Sequence, residues 1–321
     1  MRNYSETNLP FVSIIIPCRN EEGFIVRCLD TVISQDYPKE RMEVFVVDGM
    51  SGDKTREIVQ NYGQKYQFIK ILDNQKKFTN FAFNLGIRKA RGEIVILMGA
   101  HAGYEKDYIS KCVKYLKEYN ADNVGGRMVT LTQENMICAR AISLVLSHSF
   151  GVGGAIFRKG SKEPRWVDTV FGGCYKKEIF DKVGLFNENL IRSQDMEFNL
   201  RLKRAGGKIL FVPDIIFYYY PKSNLKDFFL HNIEDGIWAV LPIKFVKIPL
   251  RLRHYIPLIF ILTLPFSIWP YILASLFFSA QIAIKEKNPR LFLILPLAFG
   301  ARHLGYGFGS VLGIIKIISH K

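Results

Sequence analysis

The chain has 321 residues and a formal net charge of +15, with 49% apolar and 13% aromatic residues. Its length and apolar fraction exclude a disordered chain and allow one large domain with an appendage, or two domains. The charge is uneven: residues 241–321 carry ten Lys or Arg and one acid, Glu286, beside long apolar runs, which points to an anionic membrane surface and away from nucleic acid.

Cys18, Cys28, Cys112, Cys138 and Cys174 show no close C-x-x-C pairing. They read as reduced, mostly buried residues of a cytosolic compartment. Met1–Pro10 is polar, without the apolar core of a signal peptide.

Phe11–Ile16 is continuously apolar and β-branched, the pattern of a strand buried on both faces. It ends in Pro17-Cys18-Arg19-Asn20-Glu21-Glu22. Phe24, Ile25, Cys28, Leu29, Val32 and Ile33 then recur at helical spacing. A second strand, Glu43–Val47, ends in Asp48-Gly49-Met50-Ser51-Gly52-Asp53. A helix from Thr55, a strand at Phe68–Leu72, a helix from Asn80 and a strand at Ile94–Met98 follow. This alternation predicts a parallel, doubly wound sheet, with ligands at the C-terminal ends of its strands.

A helix is predicted over Lys106–Tyr119 and a strand near Asn123–Val129. Residues 130–165, with Gly151, Gly153, Gly154 and Gly160, read as a long mobile loop beside the site. A short helix at Lys177–Val183, a helix containing Ser193–Leu202 and a strand at Lys208–Val212 complete this part.

The tail differs in kind. Ile256 to Ile284 holds 29 residues without one charge, more than the ~20 needed to cross a hydrocarbon core. A second apolar run, Leu291 to Ile315, is broken by Arg302-His303. Arg302 is read either as facing a prenyl-diphosphate acceptor or as lying near water in a re-entrant segment. Leu241–Tyr255 mixes Lys244, Lys247, Arg251 and Arg253 with apolar residues and reads as an interfacial segment. Its bases place the N-terminal domain on the cytoplasmic side; Lys285, Lys287 and Arg290 pull the other way. The expected division is 1–240, 241–255 and a membrane anchor at 256–321 with about two spans.

Asp48, at a strand end beside Gly49 and Ser51, can accept from a nucleobase N–H or a ribose hydroxyl; it can equally satisfy local turn amides. Neither G-x-G-x-x-G nor G-x-x-x-x-G-K-[ST] is present.

Val12–Glu22, Val46–Thr55, Asn84-Leu85-Gly86-Ile87-Arg88-Lys89-Ala90-Arg91-Gly92-Glu93 and Gln194-Asp195-Met196-Glu197-Phe198-Asn199-Leu200-Arg201-Leu202 together resemble the ordered motifs of family 2 glycosyltransferases, over roughly residues 11–240. Ala100-His101-Ala102, Val167-Asp168-Thr169 and His303–Gly309 look closest to the succinoglycan-type exopolysaccharide branch. The resemblance implies an α/β, Rossmann-like GT-A domain for nucleotide-diphospho-sugars, followed by C-terminal transmembrane helices. It implies a membrane-anchored, inverting, non-processive hexosyltransferase for surface polysaccharide. The donor is a nucleotide-sugar and the acceptor a lipid-diphosphate-linked glycan. Asp195 would be the general base. Pro17, Arg19, Glu21, Asp48 and Asn84 would bind the donor. Trp238, after Asp235-Gly236-Ile237, does not complete the Gln-x-x-Arg-Trp motif of processive synthases.

One departure bears on the metal. Where this branch has Asp-Ala-His, the chain has Gly99-Ala100-His101. His101 would hold Mn²⁺ or Mg²⁺ with phosphates and water; imidazole alone suits Mg²⁺ poorly. The basic residues Arg158, Lys159, Lys162 and Arg165 are a second source of positive charge. A third reading is a non-catalytic, nucleotide-sugar-binding scaffold of a membrane glycan-assembly complex.

Overall fold

A computed structural model describes residues 9–132, 136–246 and 252–319. Residues 1–8 of the polar N-terminus and 247–251 of the basic segment lie outside the described residues.

Four parallel strands form half of the sheet. They are β1 (Val12–Cys18), β2 (Met42–Asp48), β3 (Ile69–Asp73) and β4 (Ile94–Leu97), in the order β3-β2-β1-β4. β2 is buried at every position and β1 at all but Pro17, which is why both read as unbroken apolar runs. The helices α1 (Ile25–Ile33), α2 (Thr55–Lys65) and α3 (Thr79–Lys89) connect them. α1 buries Ile25, Cys28, Leu29 and Val32, one stripe at helical spacing.

Strand order reverses between β1 and β4, and a crevice opens at such a point in open α/β sheets. β1 pairs with β2 through Cys18↔Asp48, but with β4 only through Ile15↔Leu97. Its last three residues therefore have a neighbour on one side alone. Pro17, which has no N–H to give, sits in that stretch.

Beyond β4 the sheet becomes mixed. β5 (Ala102–Tyr104), β6 (Asn123–Thr130), β7 (Arg165–Trp166), β8 (Gly173–Lys176) and β9 (Ile209–Tyr219) continue it as β4-β8-β6-β9-β5, with β7 on β9. β8 is antiparallel to β4, and β5 and β7 are antiparallel to β9. The three-residue β5 was too short to leave a periodic signal. β9 runs seven residues past the predicted end at Val212, because Phe217, Tyr218 and Tyr219 pair with β5. The helices α4 (Tyr108–Glu118), α8 (Glu178–Val183) and α9 (Gln194–Arg204) complete this part.

Two compact units result: Met1–Met128 with Gly160–Tyr219, and Val129–Lys159 with Tyr220–Lys321.

In the second unit, the loop expected at 130–165 is largely helical: α5 (Ile137–Ser147), α6 (Ser149–Val152) and α7 (Ile156–Lys159). Ala141 and Val145 are buried with Leu291, Leu295 and Phe299, and Ile142 and Leu146 with Phe228. These partners lie far along the chain, so local composition could not reveal the helices.

After the short α11 (Pro242–Val246), the uncharged run at 256–284 is two helices, α12 (Leu252–Leu262) and α13 (Leu264–Lys285). Pro265 stands in the first turn of α13, where a missing N–H is tolerated. α13 and α14 (Leu291–Ser319) are long and apolar enough to cross a membrane. They bare large apolar side chains: Phe266 is 87% exposed and Leu293 71%.

α10 (Leu225–Val240) packs backbone to backbone on α14. A Cβ on Gly309 would lie 2.0 Å from the Ile233 carbonyl oxygen, and one on Gly313 2.7 Å from that of Ile237. Arg302, on α14, donates to Asn232 Oδ1, lies 3.6 Å from the Asp235 carboxylate and stands over the Tyr306 ring. Its charge is thus compensated within the unit. The neighbouring His303 bonds Tyr271 Oη at 3.0 Å and the Phe150 carbonyl oxygen at 2.8 Å.

Candidate active site

The turns after β1 and β2 are laced together. Asn20 N–H donates to Ser51 Oγ at 2.9 Å, and Gly52 N–H donates to Asn20 Oδ1 at 2.9 Å. Glu21 N–H donates to Thr55 Oγ1 at 2.8 Å, Glu22 N–H to Asp53 Oδ2 at 3.2 Å, and Lys54 N–H to Glu22 Oε2 at 3.0 Å. Asp53 also accepts from Thr55 N–H at 3.0 Å. Partial desolvation would raise its pKa, but the hydrogen bonds from Thr55 and Glu22 outweigh that and hold it below the usual carboxylate value.

Three non-glycine residues with left-handed backbone lie in turns following β1, β2 and β3: Asn20 (φ 55°), Met50 (φ 58°) and Lys77 (φ 68°). Such conformations cost energy and cluster at ligand sites. Gly49 admits the Arg19 stem, because a Cβ there would stand 3.2 Å from Arg19 Cβ and 3.0 Å from the Lys77 carbonyl oxygen. The Arg19 side chain itself is exposed.

Asp48 is fully buried. Its Oδ2 accepts from Arg56 Nη1 at 2.7 Å, and its Oδ1 from Ser51 Oγ at 2.5 Å. Arg56 reaches on to Asp73 at 2.8 Å. Arg56 belongs to no motif visible in the sequence; its place one position after Thr55, just beyond the Asp48 turn, is the only local signal of this role. Burial and then the Asp48 charge push the Cys18 thiol well up, so it stays protonated and points its Sγ at Asp48 Oδ1.

At the C-terminal end of β4, Gly99 N–H donates to Tyr104 Oη at 2.6 Å, and Cys28 Sγ–H donates to the Gly99 carbonyl oxygen at 3.5 Å. His101 Nδ1 lies 3.2 Å from Glu21 Oε1. The imidazole stands between the rings of Phe24 and Tyr219, at 6.3 and 5.9 Å. Among the described residues no group of three or more His, Cys, Asp or Glu side chains is placed to hold a metal.

Asn84 takes a different position. Its Nδ2 donates to the Phe186 carbonyl oxygen at 2.9 Å and to Glu188 Oε1 at 3.0 Å; its Oδ1 accepts from Phe186 N–H at 2.9 Å. Both polar atoms are engaged, so Asn84 clamps the 186–188 loop onto α3. Of the four basic residues between 158 and 165, Arg158 and Lys159 end α7, whereas Arg165 lies on the edge strand β7. They do not share one element.

Asp195 stands in the first turn of α9, and its Oδ1 accepts from Met196 N–H at 2.9 Å. Ser193, just before, is left-handed (φ 57°). α9 is firmly anchored: Phe198 stacks on Phe186 at 4.6 Å, Arg201 pairs with Glu197 at 2.6 Å, and Asn199 Nδ2 donates to Thr169 Oγ1 at 3.0 Å. Gly173 pairs with Leu97, and Gly172 (φ +64°) passes so close that a Cβ would lie 2.8 Å from the Leu97 carbonyl oxygen. The chain entering β8 from Thr169 is thereby held at the C-terminal end of β4. Burial and then the Asp195 charge push the Tyr175 hydroxyl well up.

Residues 13–184 match the sequence model of glycosyl transferase family 2. The chain belongs to glycosyltransferase family 2. This glycosyltransferase is 34% identical over 320 residues to the dolichyl N-acetyl-alpha-D-glucosaminyl phosphate 3-beta-D-2,3-diacetamido-2,3-dideoxy-beta-D-glucuronosyltransferase of Methanococcus voltae, covering 95% of its own length and 98% of the relative's. It is 25% identical to the succinoglycan biosynthesis protein ExoA of Rhizobium meliloti, covering 86% and 87%. In fold it resembles the mannosyltransferase PcManGT of Pyrobaculum calidifontis, solved with GDP-Man and Mn²⁺, at a TM-score of 0.68 and 19% identity; the match covers 97% of this chain and 89% of that one. The glycosyltransferase thus has the GT-A-type α/β fold, with two candidate membrane spans in its C-terminal part.

Proposed function

We propose that the protein is a membrane-anchored, inverting glycosyltransferase that moves one sugar per encounter from a nucleotide-sugar to a lipid-linked glycan acceptor of surface polysaccharide or glycan assembly. The observation that carries this reading is the laced pair of turns ending β1 and β2, with buried Asp48 between them, at the point where strand order reverses. The near full-length similarity to the Methanococcus voltae enzyme, whose name specifies a dolichyl N-acetyl-alpha-D-glucosaminyl phosphate, supports a sugar carried on a lipid phosphate or diphosphate as the acceptor.

The donor's nucleoside lies against Pro17, Arg19 and the Asp48–Arg56 pair, and Asn84 supports the pocket through the 186–188 loop. Asp195 takes the acceptor proton. In an in-line displacement at the anomeric carbon, the acceptor hydroxyl must lose its proton as it attacks, and a carboxylate within hydrogen-bond reach accepts it. The C–O bond to the sugar forms as the bond to the diphosphate breaks, so negative charge grows on the leaving group. His101, an imidazole beside a carboxylate oxygen, has the chemistry to help hold a divalent cation there. Such a cation, when bound, offsets the charge of the leaving diphosphate.

The apolar faces of α13 and α14 anchor the protein, as a multi-pass membrane protein with its catalytic unit on the cytoplasmic side, where the bases around Lys244 meet anionic lipid. The domain reading is a catalytic part to about residue 240, a basic interfacial segment at 241–255 and an anchor at 256–321.

The test is transfer by the purified full chain in lipid, with a panel of nucleotide-sugars and polyprenyl phosphate- or diphosphate-linked sugars. A new lipid-linked product of inverted anomeric configuration supports the reading. Tight nucleotide binding without turnover across the panel favours a non-catalytic scaffold.

A further inference from the structure

We propose that Glu21 supplies the carboxylate missing at position 99, so that Glu21 Oε1 and His101 Nδ1 together hold a divalent cation against the donor diphosphate. The inference rests on the nucleotide-sugar reading above and deepens it.

The two donor atoms are 3.2 Å apart. Adjacent ligands at ~2.1 Å from an octahedral cation are themselves about 3 Å apart. The atoms therefore already stand as neighbouring ligands would. They come from turns 80 residues apart in sequence, at the C-terminal ends of β1 and β4, where the sheet places its ligand crevice.

The Glu21 backbone is held, and both side chains keep solvent exposure. The Glu21 N–H is held by Thr55 Oγ1 at 2.8 Å, and its carbonyl oxygen accepts from Phe24 and Ile25 N–H at 2.9 and 2.8 Å. Phe24 and Tyr219 flank the His101 ring. The side chains of Glu21 and His101 are 20% and 46% exposed, so an ion and its phosphates can reach them. Two protein donors suffice where phosphate oxygens and water complete the shell. The mixed oxygen and nitrogen set favours Mn²⁺ over Mg²⁺.

Position 99 has room for an acid. A Cβ there would meet nothing closer than 4.0 Å, the atoms being Ala102 Cβ and Tyr104 Oη. Its backbone is held by Tyr104 and Cys28. The negative charge can therefore be moved back to position 99 and its equivalence to Glu21 measured.

The experiment titrates Mn²⁺ into the purified full chain with saturating UDP, and separately GDP, following free Mn²⁺ by electron paramagnetic resonance. Glu21→Gln and His101→Ala should each weaken Mn²⁺ binding by about tenfold or more. Gly99→Asp added to Glu21→Gln should restore most of the loss. Thermal unfolding of the metal-free variants confirms that each is folded. Wild-type affinity in Glu21→Gln, or a double variant no better than Glu21→Gln, overturns the assignment of Glu21. If wild type binds nucleotide but takes up no Mn²⁺, the metal reading itself falls. If neither nucleotide binds, the nucleotide-sugar reading falls first.

Discussion

Arg56 Nη1 lies 2.7 Å from the Oδ2 of Asp48, a carboxylate with no solvent exposure at the end of β2. The same guanidinium holds Asp73 at the end of β3. The pair fixes the Asp48 charge at the end of β2 rather than leaving it a free acceptor.

Replacing Arg56 by Met would leave the Asp48 charge buried with only Ser51 and Cys18 against it. Removing one partner of a fully buried pair costs about 3–5 kcal/mol. Arg56 is itself 29% exposed, so water can enter and the expected loss is nearer ~2 kcal/mol. Urea unfolding should show that loss, and calorimetry with UDP or GDP a drop in affinity of about tenfold. Unchanged stability would mean that Ser51 alone satisfies Asp48.

Asp195→Asn keeps the shape and the hydrogen bond from Met196 N–H but removes the base. Turnover should fall by about 10²–10⁴-fold, with nucleotide affinity preserved. Loss of the charge in the first turn of α9 should cost no more than about 1 kcal/mol in thermal unfolding. Equal turnover by both proteins would remove Asp195 from the role of base.

Asp53 gives a pH signature. Its folded pKa lies below its unfolded value of about 3.9. Its contribution is therefore present above pH ~4 and is lost as pH falls through the folded value. Wild type should exceed Asp53→Asn in urea midpoint at pH 6, and the gap should close as pH falls below ~4. A constant gap would show that the carboxylate charge does not matter to the lacing of the two turns.

The α10–α14 contact separates two glycines of one helix. At Gly309 a Cβ would lie 2.0 Å from the Ile233 carbonyl oxygen, whereas at Gly300 it would meet nothing within 4 Å. Gly309→Ala should destabilise the second unit by about 1–3 kcal/mol. Gly300→Ala should be neutral or raise stability by up to about 1 kcal/mol. Limited proteolysis of the protein in detergent, followed over temperature, reads both; an equal response would deny the close helix contact.

Much of the first unit was legible from pattern alone. β1 and β2 are buried almost throughout, so nearly every residue in them is apolar, and the polar turns that follow stand out. Asp48 could be singled out because strand ends carry recognisable local chemistry; Asp195 stands out only through the resemblance of residues 194–202 to the family motif. Asn84 was legible as a landmark, but its partner Phe186 lies 102 residues away, so its work as a loop clamp was not. β5 has three residues and β7 two, too few to show a period.

The sequence by itself determined the order of the parallel strands' helices and turns, the polar ends of β1 and β2, and the apolar character of the tail, because each depends on periodicity within a few residues. Only the tertiary structure decided what meets across long separations. It turned 137–159 helical by giving Ile142, Val145 and Leu146 apolar partners beyond residue 225. It compensated Arg302 with Asn232 and Asp235, and it set Glu21 beside His101. A carboxylate absent at position 99 can be supplied from another turn because charge acts through space, whatever the distance along the chain.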